Sequence, residues 1–307
     1  MKAKHKFFTI DRSKKDLIFY VAMFAFPVIQ FCVFYIAVNF NSILLAFQNV
    51  DMLSGQISWA KFDNFKQVIS DMLNMYVVKV ATKNSIIVYV LTILISTPLN
   101  LLFSFYLYKK NFGSGLFRIF LFLPSIVSGI VMVLMYQFFV EAAVPTIYHE
   151  LTGKYMAGLM ENMDTRFAVV LFYNIFTGFG VTVLMYSDSM NAISPEVVES
   201  GKLDGAVGFK EFWYITLPSI WPTFSTFFVV GIAGLFTNQF NLYSFFSGYA
   251  AAEVSTLGYW MYVKTLNAAG SRADLSYLSA LGLILTFITV PLVFGLRKLL
   301  SFGPRED

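Results

Sequence analysis

The sequence predicts an all-α membrane protein with six transmembrane helices, and two observations lead to this prediction. Hydrophobic residues make up 57% of the 307 residues, whereas charged residues make up only 13%. Soluble proteins have about 45–50% apolar and about 25% charged residues, so a soluble globule could not cover this much apolar surface. The apolar residues also fall into six runs, each near the roughly 20 residues that a helix needs to cross a bilayer.

This composition excludes several other classes of protein. The chain is too apolar for a disordered protein or a nucleic-acid-binding domain, so we expect no nucleic acid partner and contact with membrane lipid instead. Cys32 is the single cysteine, and a secreted disulfide scaffold is therefore excluded.

The first apolar run, at about 17–40, follows six Lys and Arg residues. A signal peptide also begins with basic residues, but its apolar core is shorter and ends in small residues. We therefore expect a retained helix, with a short N-terminal segment at 1–16 and one transmembrane domain at 17–307. The other spans are expected at about 84–108, 116–140, 166–187, 220–243 and 276–296.

The basic residues predict the orientation. With six spans, both termini share one side with the 109–118 loop and the 188–219 loop. Fourteen of the 22 Lys and Arg residues lie on that side. Because cytoplasmic loops of membrane proteins carry the excess of positive charge, both termini are predicted to be cytoplasmic.

The outer loop that follows the first span contains an amphipathic segment. Its apolar residues recur at helical spacing, which predicts a helix lying at the outer membrane interface. These residues are Trp59, Phe62, Phe65, Ile69, Met72 and Leu73.

Signatures of catalysis and of ion coupling are missing. No charged residue lies in the middle of any predicted span, which argues against a proton-driven carrier, although a sodium-driven carrier stays open. His5 and His149 are the only histidines and lack the spacing of a zinc site. No phosphate-binding Gly-rich loop is present. We therefore expect no catalytic residue, no metal and no cofactor bound by this chain.

The 188–219 loop carries the most informative local pattern. Ser194 is a suitable N-cap and Pro195 suits the first helical position, so a helix is predicted over 195–203. Asp204 and Gly205 form a turn dipeptide that ends it. A second helix is predicted from about Phe209, with an apolar face formed by Phe209, Phe212, Trp213 and Thr216. It is expected to end before Pro218.

The charge of this loop suggests a role. It holds five carboxylates and two lysines: Asp188, Glu196, Glu199, Asp204 and Glu211 against Lys202 and Lys210. An acidic, structured element that projects from the membrane is explained better as a docking site for a cytoplasmic partner than as a solvated linker.

The same loop resembles the EAA loop of binding-protein-dependent ABC importer permeases. The matching residues are Glu199, Ser200, Gly201, Asp204, Gly205 and Ala206, followed by Ile215, Leu217 and Pro218. Other fragments resemble the carbohydrate-uptake branch of this family in order along the chain: 61–65, 84–85, 115–124, 256–262 and 276–280. Gly201 departs from the pattern, because the family has alanine there. Glycine costs a helix about 1 kcal/mol relative to alanine, so a looser helix is expected.

The resemblance implies a type I ABC importer permease fold in a bacterial plasma membrane. It implies two copies of a cytoplasmic P-loop ATPase that hold ATP and Mg²⁺, a second and different six-span permease, an external substrate-binding protein and a sugar substrate. The loop 188–219 would couple to the ATPase through Glu199, Ser200, Gly201, Asp204, Gly205, Ala206, Leu217 and Pro218.

A substrate path is expected from polar residues within two spans. Tyr173, Asn174 and Thr177 share a face of the fourth span, and the fifth carries Asn238, Gln239, Asn241 and Tyr243. These groups would form an uncharged cavity suited to sugars, or would bond between helices as structural contacts. The alternative function is a secondary carrier or channel for a small neutral solute. A membrane enzyme acting on lipid-linked sugars is a third class, but the outer acids show no recognisable pairing.

Overall fold

The computed structural model describes residues 14–50, 56–268 and 271–303 and is mainly helical. The helices are α1 (14–46), α2 (Asp63–Asn74), α3 (Tyr76–Tyr108), α4 (Ser114–Ile126), α5 (Gly129–Thr152), α6 (Met163–Asn191), α7 (Pro195–Leu203), α8 (Phe209–Ser219), α9 (Trp221–Ala233), α10 (Leu242–Phe246), α11 (Leu257–Asn267) and α12 (Arg272–Leu300). Short π-helical stretches interrupt α1, α3, α5 and α8, at Phe31–Ala37, Thr92–Ser96, Phe139–Ala143 and Phe212–Thr216. Strands β1 (Gln48–Val50) and β2 (Ile57–Trp59) pair antiparallel.

Most of the predicted spans correspond to long apolar helices. Five helices of the described chain, α1, α3, α5, α6 and α12, are long and apolar enough to cross a membrane. Helices α8 and α9 together would be a sixth, but they meet at an angle of 69°. The chain is therefore a multi-pass membrane protein.

The span predicted at 116–140 is wrong as one continuous helix. Helix α4 ends at Ile126 and α5 begins at Gly129, with extended backbone at Val127 and Ser128 between them. Pro124 weakens the last turn of α4, because proline lacks the N–H that a helix needs. Helix α5 then continues twelve residues beyond the predicted end, to Thr152.

The span predicted at 220–243 is also interrupted. Helix α9 has 13 residues and ends at Ala233. Between Ala233 and α10, Phe240 and Asn241 both have positive φ angles, of 56° and 55°. The Asn238 side chain accepts a hydrogen bond from the Phe240 N–H at 2.8 Å, and such local bonds compete with helix formation. We call residues 234–241 the break.

The outer loop between the first two spans is folded rather than irregular. It contains a short hairpin, so the all-α prediction misses β1 and β2. An amphipathic helix is present there as α2, whose Phe65 and Met72 pack against the core, but Trp59 lies in β2 and not on the predicted helical face. Trp59, Phe62, Ile69 and Leu73 remain exposed. The second span begins earlier than expected, at Tyr76, so Lys79 and Lys83 lie on α3.

Three apolar clusters hold the helices together, and one of them lies under the 188–219 loop. That cluster joins α3, α6 and α8 through Leu101, Tyr186, Met190, Phe212 and Ile220. Helix α4 crosses α6 closely, because Gly180 lies against the backbone of Leu121. In contrast, every side chain of residues 16–41 on α1 is exposed. Such an apolar surface requires lipid or another protein around it.

Candidate functional site

Helix α7 forms where the sequence predicts it. Ser194 is the N-cap, and its hydroxyl accepts a hydrogen bond from the Glu196 N–H at 3.3 Å. Pro195 occupies the first turn, where its missing N–H costs nothing. Glu196 lies in the same turn, close to the positive end of the helix dipole.

The C-terminal end of α7 is a Schellman motif built from Asp204, Gly205 and Ala206. The Ala206 N–H donates to Gly201 O at 2.8 Å, and the Gly205 N–H donates to Lys202 O at 3.0 Å. Gly205 has a φ of +82°, which glycine adopts without strain. This motif explains why the Asp-Gly-Ala sequence ends the helix here.

Gly201 lets α7 pack directly on α8. A Cβ atom at this position would overlap the Cδ1 atom of Ile215 on α8 and would lie 3.9 Å from Ala206 Cβ. The expected cost of glycine in a helix is thus accompanied by a close contact between the two helices. The expectation of a looser helix overlooks this contact.

Helix α8 continues to Ser219, so the prediction that it ends before Pro218 is wrong. The π-helical stretch Phe212–Thr216 lies immediately before the proline. Pro218 then falls in the first turn of a new α-helical segment, where no N–H is needed. Of the predicted apolar face, Phe212 and Thr216 are buried, whereas Phe209 and Trp213 are exposed.

The residues expected to couple to a partner differ in exposure. Glu199, Ser200, Asp204 and Gly205 are exposed on the surface of α7 and its turn, where another protein can reach them. Gly201, Ala206, Leu217 and Pro218 are half-buried. Gly201 and Ala206 lie at the contact between α7 and α8, whereas Leu217 and Pro218 lie toward the transmembrane helices.

One ion pair attaches this element to a transmembrane helix, and a second joins two transmembrane helices beside it. Lys109, just after the end of α3, binds both carboxylate oxygens of Glu211, whose side chain is only 1% exposed. Arg118 on α4 lies 3.4 Å from Asp188 at the end of α6. The Lys109 ammonium also lies 5.4 Å from the centre of the Tyr108 ring.

These pairs change the charge that the loop presents. Glu211 is buried against Lys109, and Asp188 lies on α6 beside Arg118, so neither belongs to the acidic face that α7 presents. Three carboxylates remain for a partner, those of Glu196, Glu199 and Asp204. Two of them, Glu199 and Asp204, lie on the surface described above.

The polar residues of the fourth and fifth spans meet, as the sequence analysis proposed. The Asn241 side chain donates to the Asn174 side chain at 2.7 Å, and Asn174 donates to Phe240 O at 3.1 Å. Asn174 and Asn241 line a cavity of about 480 Å³ together with Thr177 and Asn238. Asn174 therefore has both of the expected features: it forms a hydrogen bond between segments, and it lines a cavity.

Three of the predicted path residues lie elsewhere. Tyr173 is buried, with its ring 5.1 Å from that of Tyr136 and 5.0 Å from that of Phe245. Tyr243 packs against Tyr262 instead, at 5.0 Å between ring centres. Gln239 is half-buried and, like these two tyrosines, is not among the residues that line the cavity.

Helix α3 contributes a further wall that the polar residues of the fourth and fifth spans did not indicate. Thr92, Ser96 and Asn100 line this cavity and also an adjoining one of about 440 Å³. They recur every four residues along the helix, so the periodicity of polar residues could have identified them. No charged side chain lines either cavity.

The segment 253–258 holds the break in place. Asn84 on α3 donates to the carbonyls of Glu253 and Ser255, at 2.8 and 3.0 Å. The hydroxyl of Thr256 donates to Asn238 O at 3.2 Å. At Gly258 a Cβ atom would come within 2.6 Å of the carbonyl oxygen of Thr237, so only glycine fits there without a shift.

Gly258→Ala should therefore displace the break and lower stability. Forcing a methyl group into a closely packed site costs about 1–3 kcal/mol, and here the obstacle is backbone rather than a flexible side chain. Thermal unfolding in detergent measures the effect. Gly282→Ala is the matched control, because no atom lies within 4 Å of the added Cβ. Equal melting temperatures for the two variants would contradict the close contact.

One expectation about charge needs correction. Glu141 lies midway along α5, so a charged residue does occur within a long apolar helix. Its carboxylate accepts a hydrogen bond from the Met160 N–H at 2.6 Å and lies against Gly158. Among the described residues, no group of three His, Cys, Asp or Glu side chains could hold a metal ion.

Comparison with known proteins places this architecture among transport proteins. The chain is 24% identical over 280 residues to the multiple sugar-binding transport system permease protein MsmF of Streptococcus mutans, covering 90% of this chain and 92% of that protein. It is 27% identical to the sn-glycerol-3-phosphate transport system permease protein UgpA of Agrobacterium fabrum, over 73% of this chain and 76% of that protein.

Solved structures show the same fold. The chain matches a subunit of a bacterial ABC transporter that imports the acidic polysaccharide alginate, with a TM-score of 0.77 and 18% identity. The match covers 94% of this chain and 96% of that subunit. Residues 103–302 match the family described as binding-protein-dependent transport system inner membrane component, so this match includes the end of α3, the break and all of α4–α12. The chain therefore belongs to the family of binding-protein-dependent transport system inner membrane components, which are transport subunits and not enzymes.

Proposed function

We propose that this chain is the permease subunit of an ATP-driven, binding-protein-dependent importer for a neutral sugar or oligosaccharide. The observation that carries the proposal is the pair α7–α8, an exposed acidic element that the Glu211–Lys109 ion pair attaches to α3. A force applied to α7 would reach α3 through Glu211 and Lys109. No phosphate-binding loop is present, so ATP and Mg²⁺ belong to a separate cytoplasmic ATPase, present in two copies.

The proposed topology has six crossings and both termini in the cytoplasm of a bacterium. The crossings are α1, α3, the broken pair α4–α5, α6, α9 with the break, and α12. This arrangement places α7 and α8 on the side with more basic residues, which is the cytoplasmic side. A second, different permease would cover the exposed apolar surfaces, and an external binding protein would deliver the sugar.

The proposed role of α7 is to dock in a cleft of the ATPase. Glu199 would pair there with a basic group, while Ser200, Asp204 and Gly205 would contact the surface around it. Gly201 and Ala206 would hold α7 against α8, while Leu217 and Pro218 would hold α8 against the transmembrane helices. ATP-driven closure of the two ATPase subunits would then move α7 and open the cavity toward the outside.

The cavity favours an uncharged substrate. It is lined by amides and hydroxyls, such as those of Asn174, Thr177 and Asn238, and by no charged side chain. Neutral hydrogen-bonding groups of this kind suit sugar hydroxyls. Relatives are named for multiple sugars, for sn-glycerol 3-phosphate and for arabinooligosaccharides. The lining supports the neutral substrates among these.

Purification with partners tests the proposal. The chain, tagged at its C-terminus, is extracted from its native membrane in a mild detergent, and the proteins that purify with it are identified by mass spectrometry. We expect a P-loop ATPase and a second six-span permease in stoichiometric amounts. If the chain purifies alone or only with copies of itself, while other membrane complexes survive the same conditions, the alternative of a secondary carrier or channel takes its place.

A further inference from the structure

We infer that Thr92, Ser96 and Asn100 of α3 form a ladder of hydrogen-bonding groups that binds the sugar hydroxyls during transport. The inference rests on the proposed function and adds a wall to the site that the fourth and fifth spans form. Residues four apart lie on one face of a helix, and all three line the cavity of about 480 Å³.

The ladder contains polar atoms that have no partner. Ser96 Oγ and Asn100 Oδ1 are buried, and neither has a hydrogen-bond partner within the described part of the chain. Both residues are only 6% exposed. A buried polar atom that makes no hydrogen bond costs about 1–3 kcal/mol, so purely structural residues at these positions would be expected to find partners.

The next residue of the same face shows what a structural hydroxyl looks like. Ser104, one turn further along α3, is fully buried and donates to Val183 O at 2.9 Å. It does not line the cavity. The unpaired atoms on this face of α3 thus lie at the two positions that line the cavity, where a ligand can bond to them.

The opposite wall of the cavity, on α6, carries polar side chains that already have hydrogen-bond partners. The side chains of Thr177 and Asn174 each donate a hydrogen bond of 2.9 Å to a backbone carbonyl oxygen of their own helix. The α3 ladder offers a hydroxyl that can donate or accept and an amide oxygen that accepts. A sugar hydroxyl can bond to both. The ladder therefore suits a neutral polyhydroxylated ligand, and a carboxylate would find no positive group there.

Cysteine labelling in the assembled importer tests the ladder. Cys32 is the single cysteine, so Cys32→Ser provides a cysteine-free background in one step. Ser96→Cys and, as a second variant, Thr92→Cys are exposed to a membrane-impermeant thiol reagent during ATP turnover. Ser104→Cys is the control on the same helix face. The sugars tested are maltose, sucrose, raffinose and maltotriose.

We expect Ser96→Cys and Thr92→Cys to be labelled and Ser104→Cys to stay unlabelled. A transported sugar at ten times its apparent Kd should slow the labelling by about tenfold, because occupancy reduces the free site by that factor. If neither position is labelled, or if no transported sugar slows the labelling, the ladder does not bind sugar. Labelling of the isolated chain but not of the assembled importer would show that the second permease covers the ladder, which also overturns the inference.

Uptake in the Cys32→Ser background separates this outcome from failure of the proposed function. If that background transports a sugar with ATP, the importer is established and the labelling decides the ladder alone. If it transports none of the four sugars and purifies without an ATPase, the proposed function itself fails.

Discussion

Glu199→Lys should abolish ATP-driven sugar uptake without reducing the amount of protein in the membrane. Glu199 is exposed near the middle of α7, and among the described residues it forms no salt bridge. The substitution therefore removes no contact that the fold needs. In the proposed complex it places a positive charge against a basic group of the ATPase, and like charges brought together at an interface oppose association.

Uptake of a labelled sugar, membrane content by immunoblot and co-purification of the ATPase measure this effect. Asp16→Lys is the control, because Asp16 is an exposed carboxylate on the same proposed side of the membrane and lies far along the chain from α7. We expect the control to transport at the normal rate. Normal uptake by Glu199→Lys at equal membrane content would remove Glu199 from the coupling surface.

Local signals explain why α7 could be predicted to the residue. A capping serine, a proline in the first turn and an Asp-Gly turn act within a few positions of each end, and each occupies its expected place. The amphipathic outer helix was predictable for the same reason, since its pattern lies within 12 residues. The resemblance to the EAA loop covers the same positions, but the helix bounds follow from the residues themselves.

The breaks in the third and fifth spans could not be predicted from hydrophobicity. Apolar residues flank Val127 and Ser128 on both sides, so a hydropathy pattern predicts one span although the backbone is extended there. In the fifth span, the break depends on the Asn238 side chain and on support from Gly258 in another helix. Tertiary contacts of this kind are not visible in a local pattern.

The cavity was predicted in part for a related reason. Asn174 and Asn241 were expected to meet and do so, because both lie in apolar surroundings that leave amides few other partners. Tyr173 and Tyr243 were expected beside them, but aromatic packing directs both rings elsewhere. A polar residue in a span thus indicates an unusual environment, while its neighbours decide whether it faces a cavity.

Lys109→Met should produce the largest loss of stability. The substitution leaves the Glu211 carboxylate buried at 1% exposure with no counter-charge. Removing one partner of a buried ion pair costs about 3–5 kcal/mol, because the remaining charge cannot return to water. Thermal unfolding of the purified protein in detergent measures the change. Lys110→Met is the matched control, since Lys110 is the adjacent lysine and is exposed.

The double variant Lys109→Met/Glu211→Leu shows where the cost originates. If the unpaired carboxylate causes the instability, removing it as well should restore most of the lost stability, because an apolar pair of similar size often replaces a buried ion pair without loss. If the double variant is as unstable as Lys109→Met, the lysine instead acts through its contacts with the rings of Phe105 and Tyr108. The two partners are 102 positions apart in the sequence, so no local pattern pairs them. A large coupling energy in this double-mutant cycle would therefore establish a contact between α3 and α8 that only the fold creates.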